Sequence, residues 1–291
     1  MSQPARPAST VVLLRPAVEG VEVFLVRRHD NVAFMGGAHV FPGGRVDPSD
    51  YVSDTHVLDG DADPRMRDRT AAEAVAFQVA AVRELFEEAG ILLARPDRYV
   101  SKGDGRGAIV SIDADASNRF GRYRRALLDG SLTLGDMLRR ERLHVALDAL
   151  GLFAHWVTPV VETRRFDTYF FLALAPDSQD AAHDDRETTH GMWIRPADAL
   201  QQCLRGELAL PPPTWTTLRA LSRAGTVVEA WLWAKAQRVA RVQPCFQQNA
   251  DGTRLVMLPG DPMCPAVEGF EAEEKRFVLE NGRWRPVSAD T

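Results

Sequence analysis

The chain has 291 residues, 45% of them apolar and 26% charged, which excludes a disordered or low-complexity chain and suits one large globular domain or a domain with a sizeable appendage. A net charge of −5 gives no general attraction to nucleic acid or anionic lipid, and no apolar run is long enough to cross a bilayer. Three cysteines (Cys203, Cys245 and Cys264) without a C-x-x-C spacing argue against a disulfide framework or zinc site, and no secretory signal is visible; a cytoplasmic protein with no nucleic-acid or membrane partner is expected, a homodimer being left open.

Taken in chain order, Thr10 to Leu14 reads as a buried strand and Val21 to Val26 as a second, joined through Glu19-Gly20. His39-Val40-Phe41 leads into Pro42-Gly43-Gly44, where neither helix nor strand is expected to continue. Residues 46–68 lack periodicity and are rich in aspartate, as a solvated, mobile loop would be. A helix then starts at the Thr70/Glu73 capping box, carries Val75, Val79, Val82, Phe86 and Ala89 on one stripe, and stops at Gly90. Residues 101–118 read as loop, and Arg119 to Leu150 as helix in two pieces broken at Gly130-Ser131. Strands are expected at 152–160, 165–175 and 191–194, and helices at 196–204, 213–223 and 227–238, two of them with proline in the first turn. Asp251-Gly252 and Asn281-Gly282 mark two hairpins in an otherwise mostly helical appendage. Strands separated by single helices indicate an α/β layered domain.

Chemistry concentrates in Arg83-Glu84-Leu85-Phe86-Glu87-Glu88-Ala89-Gly90. At roughly 100° per residue, Glu84 and Glu88 lie about 40° apart on one side of the helix, with Glu87 one flank away. Like charges at this spacing, close to a helix C-terminus, are unfavourable by themselves, and a bound cation would reverse the sign of that cost. Hard oxygen ligands select Mg2+ or Mn2+. Asp59, Asp61 and Asp63 have a calcium-loop spacing, but Pro64 and Thr70 stand where that loop needs glycine and glutamate. His39 and His155, on expected strands, read as core histidines, and Trp215, Trp231 and Trp233 as packing residues.

The segment from Arg83 to Ile91, with Gly44 upstream, resembles the signature of the Nudix hydrolases: a glycine, a variable stretch, then R-E-apolar-x-E-E-x-G-apolar. Phe41-Pro42-Gly43-Gly44, Trp156-Val157-Thr158-Pro159, Arg165-Phe166-Asp167-Thr168, Leu210-Pro211-Pro212-Pro213 and Leu258-Pro259-Gly260-Asp261 are similar to the subgroup that hydrolyses coenzyme A and its thioesters and carries a long insertion in its box. The resemblance implies an α/β/α sandwich with a mixed sheet over residues 9–205, with box 44–91, insertion 46–68 and helical insertion 119–150, and a C-terminal extension, 206–291, packed on it. It implies a diphosphatase acting on a small nucleotide-linked substrate: coenzyme A or acyl-CoA, giving adenosine 3′,5′-bisphosphate and the 4′-phosphopantetheine half. NADH, ADP-ribose or dinucleoside polyphosphates remain alternatives, as does a nucleotide-binding regulator without activity.

By the same resemblance Glu84, Glu87 and Glu88, with the Gly44 carbonyl, hold Mg2+ or Mn2+, and Arg83 orients carboxylates. Glu187, on a later loop, completes the metal site or, like Glu84, serves as general base. Arg28 and Arg45 are the expected phosphate-binding cations. Two departures stand out. The usual box has a glutamate eight residues before its arginine, and here that residue is Val75; in an upstream motif of some coenzyme A-cleaving relatives, Leu25, Arg28 and Gly37 fit but Val26, His29 and Ala33 do not.

Overall fold

The computed structural model describes residues 3–30, 36–52, 57–97, 108–112, 114–182 and 188–288. β1 (Arg6–Pro16) turns through Gly20, at φ +75°, into β2 (Val21–Arg28). β3 (His39–Val40) pairs with β2, and β4 (Gly43–Arg45) pairs with β1, Ser9 opposite Gly44. The glycines therefore do not end strand structure. A Cβ on Gly43 would run into the Ser9 carbonyl and Thr10, so glycine is what lets this strand lie close against β1.

After β5 (Leu58–Asp59), α1 (Ala71–Ala89) is capped at both ends as its sequence indicates. The Thr70 hydroxyl accepts the Glu73 amide at 3.3 Å, the Glu73 carboxylate accepts the Thr70 amide at 2.8 Å, and Gly90 closes the helix at φ +74°. Burial extends well beyond one stripe: Ala76, Phe77, Ala80, Arg83, Leu85 and Glu88 are buried with it. β6 (Ala94–Pro96) follows, then α2 (Ala114–Leu128), α3 (Leu134–Glu141) and β7 (Leu143–Ala146). The two-piece helix expected to reach Leu150 thus stops at Glu141. Arg142 adopts a left-handed conformation at φ 54°, and Leu143–Ala146 pairs with both β5 and β6.

β8 (Gly151–Val157), β9 (Phe166–Leu174) and β10 (Thr188–Ile194) complete most of the main sheet, and α4 (Pro196–Leu204), α5 (Pro212–Leu221) and α6 (Val227–Ala236) follow. With β11 (Arg241–Val242), the strand order is β10-β2-β1-β9-β8-β11, β3 and β4 being attached to β2 and β1. β1 and β9 run parallel, as do β8 and β11, and the other pairs are antiparallel. The sheet is mixed and covered on both faces. Val11, Leu13, Tyr169 and Phe171 pack with α1, α2 and α3; the alternate residues Val12, Leu14, Phe170 and Leu172 pack with α4, α5 and α6. A strand buried on both faces has no polar alternation, which is why β1 reads as a continuous apolar run.

The appendage differs from the mostly helical one expected. Beyond α6, β12 (Cys245–Gln248), β13 (Arg254–Met257), β14 (Arg276–Glu280) and β15 (Arg283–Val287) form a four-stranded antiparallel sheet. Both hairpin signals mark real turns, with Gly252, Asn281 and Gly282 all at positive φ. Val256, Leu258 and Phe277 extend the second core, and a buried Arg276–Asp261 pair at 3.0 Å ties β14 to the preceding loop. Cys245 and Cys264 form a disulfide, contrary to the reading from cysteine spacing: the fold brings residues 19 apart in sequence to a Cα separation of 5.6 Å. No helix among the described residues is long and apolar enough to cross a membrane.

Among its described residues the 46–68 insertion has 3-10 structure at Pro48–Asp50 and at Val57 and the short strand β5, and it is partly packed rather than wholly solvated. Val57, Met66, Asp50 and Asp63 are buried, and Asp63 is held by Arg65, Gln78 and the Leu152 amide. Three of its aspartates, Asp50, Asp59 and Asp63, pair closely with arginines, whereas Asp61 is exposed.

Candidate active site

Arg83 lies at the centre of the acidic turn, and each of its five N–H donors has an acceptor. Nε and Nη2 meet the two oxygens of Asp50 at 2.9 Å each, and Nη2 also reaches the Arg45 carbonyl at 2.8 Å. Nη1 is shared between Glu84 at 2.9 Å and Glu87 at 3.1 Å. A guanidinium with every donor engaged holds the carboxylates around it in place. Glu88 accepts the Gly43 amide at 2.9 Å, which fastens the end of α1 to β4. A Cβ at Gly44 would land on the Glu84 carboxylate. Only glycine leaves that oxygen room against the backbone.

The electrostatics match this crowding. Burial pushes the Glu84 and Glu87 carboxyls upward, Arg83 pulls them back, and the Asp50 charge pushes both further up. At the C-terminal end of α1, Arg124 donates to the Glu87 carbonyl at 2.8 Å and to the Ala182 carbonyl at 2.8 Å, supplying the positive charge that a helix C-terminus favours. Among the described residues no three acidic, histidine or cysteine side chains stand close enough to hold a cation as they are, since Arg83 draws Glu84 and Glu87 together while Glu88 is turned to Gly43. The donor set nonetheless suits a hard divalent cation: buried carboxylates in surplus over the one arginine, beside a glycine whose missing side chain leaves the space free.

Glu84, Glu87, Glu88, Gly44, Arg28 and Arg45 all line one cleft of about 1000 Å³. Among the described residues, no hydrogen bond or ion pair engages the Arg45 or Arg164 guanidinium, and the buried Nε of Arg28 has no acceptor. Trp156, Phe170, Pro212, Val256 and Trp284 make an apolar wall, the last two contributed by the C-terminal sheet. Glu187 lies outside the described residues. Sequence reasoning missed Asp50, Arg124 and Arg164. For Asp50 the local pattern Asp47-Pro48-Ser49-Asp50 signals a short helical turn, whereas nothing in sequence points it at Arg83.

Other residues singled out are structural. Asp59 pairs with Arg95 at 2.7 Å and Asp63 with Arg65 at 2.8 Å, so these aspartates form no calcium loop. Burial, aided by the charge of Arg27, lowers the His39 pKa to about 4. His155 stacks on Tyr169 and bonds Asp167 at 2.5 Å. Trp215 is buried, while Trp233 is 42% exposed on α6.

A family model described as the NUDT19 Nudix domain matches residues 60–221. The chain is 28% identical to the acyl-coenzyme A diphosphatase NUDT19 of Xenopus laevis, with 89% of this chain and 76% of the relative covered. It is 30% identical to the protein of the same name from Homo sapiens, with 85% and 73% covered. The crystal structure of a NUDIX hydrolase from Alicyclobacillus acidocaldarius superposes with a TM-score of 0.64 at 26% identity, over 79% of this chain and 96% of that one. The box residues on α1, the mixed sheet between two helical layers and these matches agree: the chain belongs to the Nudix hydrolases, in the NUDT19 family.

Proposed function

We propose that the cleft hydrolyses the diphosphate bond of coenzyme A or an acyl-CoA, giving adenosine 3′,5′-bisphosphate and the 4′-phosphopantetheine half, acylated or not. The observation that carries this reading is the joining, in one cleft, of buried carboxylates, arginine groups that no acceptor engages among the described residues (the Arg45 guanidinium and Arg28 Nε) and an apolar wall. The substrate has the same three parts: a diphosphate, a further phosphate and a long, weakly polar arm. The names of the relatives at 28% and 30% identity support the same substrate class.

Glu84, Glu87, Glu88 and the Gly44 carbonyl are the groups that would hold Mg2+ or Mn2+. Bound there, such a cation neutralises the diphosphate and acidifies water. The chain's own residues do the rest. Arg83 keeps Glu84 and Glu87 in place, Arg28 and Arg45 hold phosphate oxygens, and Glu84 or Glu187 takes the proton of the attacking water. Phosphoryl transfer needs positioning and charge neutralisation more than covalent catalysis, so no nucleophilic side chain is invoked.

The test is a panel of coenzyme A, acetyl-CoA, 3′-dephospho-coenzyme A, NADH and ADP-ribose, with and without Mg2+, the products being identified by mass. Coenzyme A species are expected to be cut only with the metal. Arg28→Ala or Arg45→Ala is expected to lower coenzyme A cleavage about ten- to a hundredfold more than that of the 3′-dephospho form, a charge-assisted contact being worth about 1.5–3 kcal/mol. Brisk cleavage of ADP-ribose or NADH beside untouched coenzyme A would overturn the assignment.

A further inference from the structure

Asp50 enters the site from far away in sequence, 33 residues before the arginine it meets. It ends the Pro48–Asp50 turn and is only 1% exposed. The turn holds it firmly: its backbone amide donates to the Asp47 carbonyl at 2.9 Å, and its Oδ2 accepts the Asp47 amide at 2.8 Å. Its two carboxylate oxygens then receive Nε and Nη2 of Arg83 in a fork-to-fork pair. Val75, eight residues before Arg83, is partly buried against the core and has no charge to offer.

The geometry of a guanidinium makes this pair consequential. The group is planar and rigid, so fixing its Nε/Nη2 edge also fixes the direction of Nη1. Nη1 is the atom that holds Glu84 and Glu87.

We propose that Asp50 is a positioning residue of this site: brought in by the insertion, it takes the counter-ion place that Val75 leaves open and, through Arg83, sets the Glu84 and Glu87 oxygens at which a divalent cation binds. The inference rests on the metal-site reading above. It also gives the insertion a role, because its Pro48–Asp50 turn carries a charge that α1 lacks at Val75.

The test is Mn2+ binding to the metal-stripped protein, followed by the loss of the free-ion paramagnetic resonance signal, for wild type, Asp50→Asn, Arg83→Gln and the double variant. Asp50→Asn is expected to bind Mn2+ about 10- to 100-fold more weakly, as changes to groups that orient metal ligands do, while still unfolding cooperatively. The double variant is expected to bind as weakly as Arg83→Gln alone, because both changes break one chain of contacts. Wild-type affinity in Asp50→Asn overturns the proposal, and so do losses that multiply in the double variant. If Asp50→Asn does not fold, Asp50→Glu keeps the charge one methylene further out, and wild-type affinity there overturns the positioning claim equally. Glu84→Gln separates the two readings. If it binds Mn2+ as wild type does, the metal site itself is misplaced; if it loses Mn2+ while Asp50→Asn keeps it, only the role of Asp50 fails.

Discussion

At the scale of single residues, the site is a cluster of charges whose cost shows in the raised carboxyls of Glu84 and Glu87. A carboxyl raised by burial, as Glu84 is, holds its proton more tightly folded than unfolded, so it favours folding below its ordinary value of 4.5 and loses that contribution as the pH rises toward its folded value. At neutral pH without metal, Glu84→Gln should therefore raise the melting temperature by about 2–4 °C. Mn2+ should then raise that of wild type but not of the variant, which differential scanning fluorimetry in EDTA and in Mn2+ measures. A higher EDTA melting temperature in wild type than in the variant would show that the carboxylate is not strained. His39 works in the opposite direction along the pH axis. Its folded pKa of about 4 lies below its ordinary 6.5, so the unfolded chain binds the proton first and stability falls as pH drops from 6.5 towards 4. Urea unfolding should show a contribution of about 1.4 kcal/mol per pH unit across that window, absent from His39→Gln. An unchanged pH slope in the variant would refute it.

At the scale of elements, α1 was legible because its signals are local: a capping box, an apolar repeat and a closing glycine lie within one stretch of chain. The insertion was not, because what orders it is non-local. Asp50 to Arg83, Asp63 to Gln78 and Leu152, and Asp59 to Arg95 are all contacts across sequence, and a string of aspartates looks solvated until the arginines are placed. The Cys245–Cys264 pair has the same character. It joins β12 to the loop beyond β13 across 19 residues, a closure of the size worth about 3 kcal/mol in the chain-entropy picture. Alkylation of the denatured, unreduced protein is expected to label one thiol, Cys203, and three after reduction. Reduction should also make the four-stranded sheet the first segment cut by protease. Three labelled thiols before reduction would mean that the bond does not form in the protein as isolated, the outcome a reducing compartment favours.

At the scale of the whole molecule, the C-terminal extension is part of the core and of the cleft. Trp215, Leu218, Ala230 and Ala234 cover the sheet face made by Val12, Leu14, Phe170 and Leu172, and Val256 and Trp284 line the cleft itself. A chain ending at residue 205 should expose that face and aggregate or bind hydrophobic dye, because a bare patch of this size is not tolerated in a soluble monomer. A monomeric, cooperatively unfolding truncation, seen by gel filtration and circular dichroism, would show the extension to be dispensable. The sequence by itself determined the reaction family, the helix α1 with its caps and carboxylates, the glycine facing them and most strands, since each is written in short-range periodicity or in a contiguous motif. Only the tertiary structure decided that Asp50 meets Arg83, that the glycines at 43 and 44 form a strand, that the chain after Glu141 turns to β-structure, and that the tail is a disulfide-linked sheet closing the cleft. Those outcomes depend on which distant residues come to lie opposite one another, and pairing at a distance leaves no period in the chain to read.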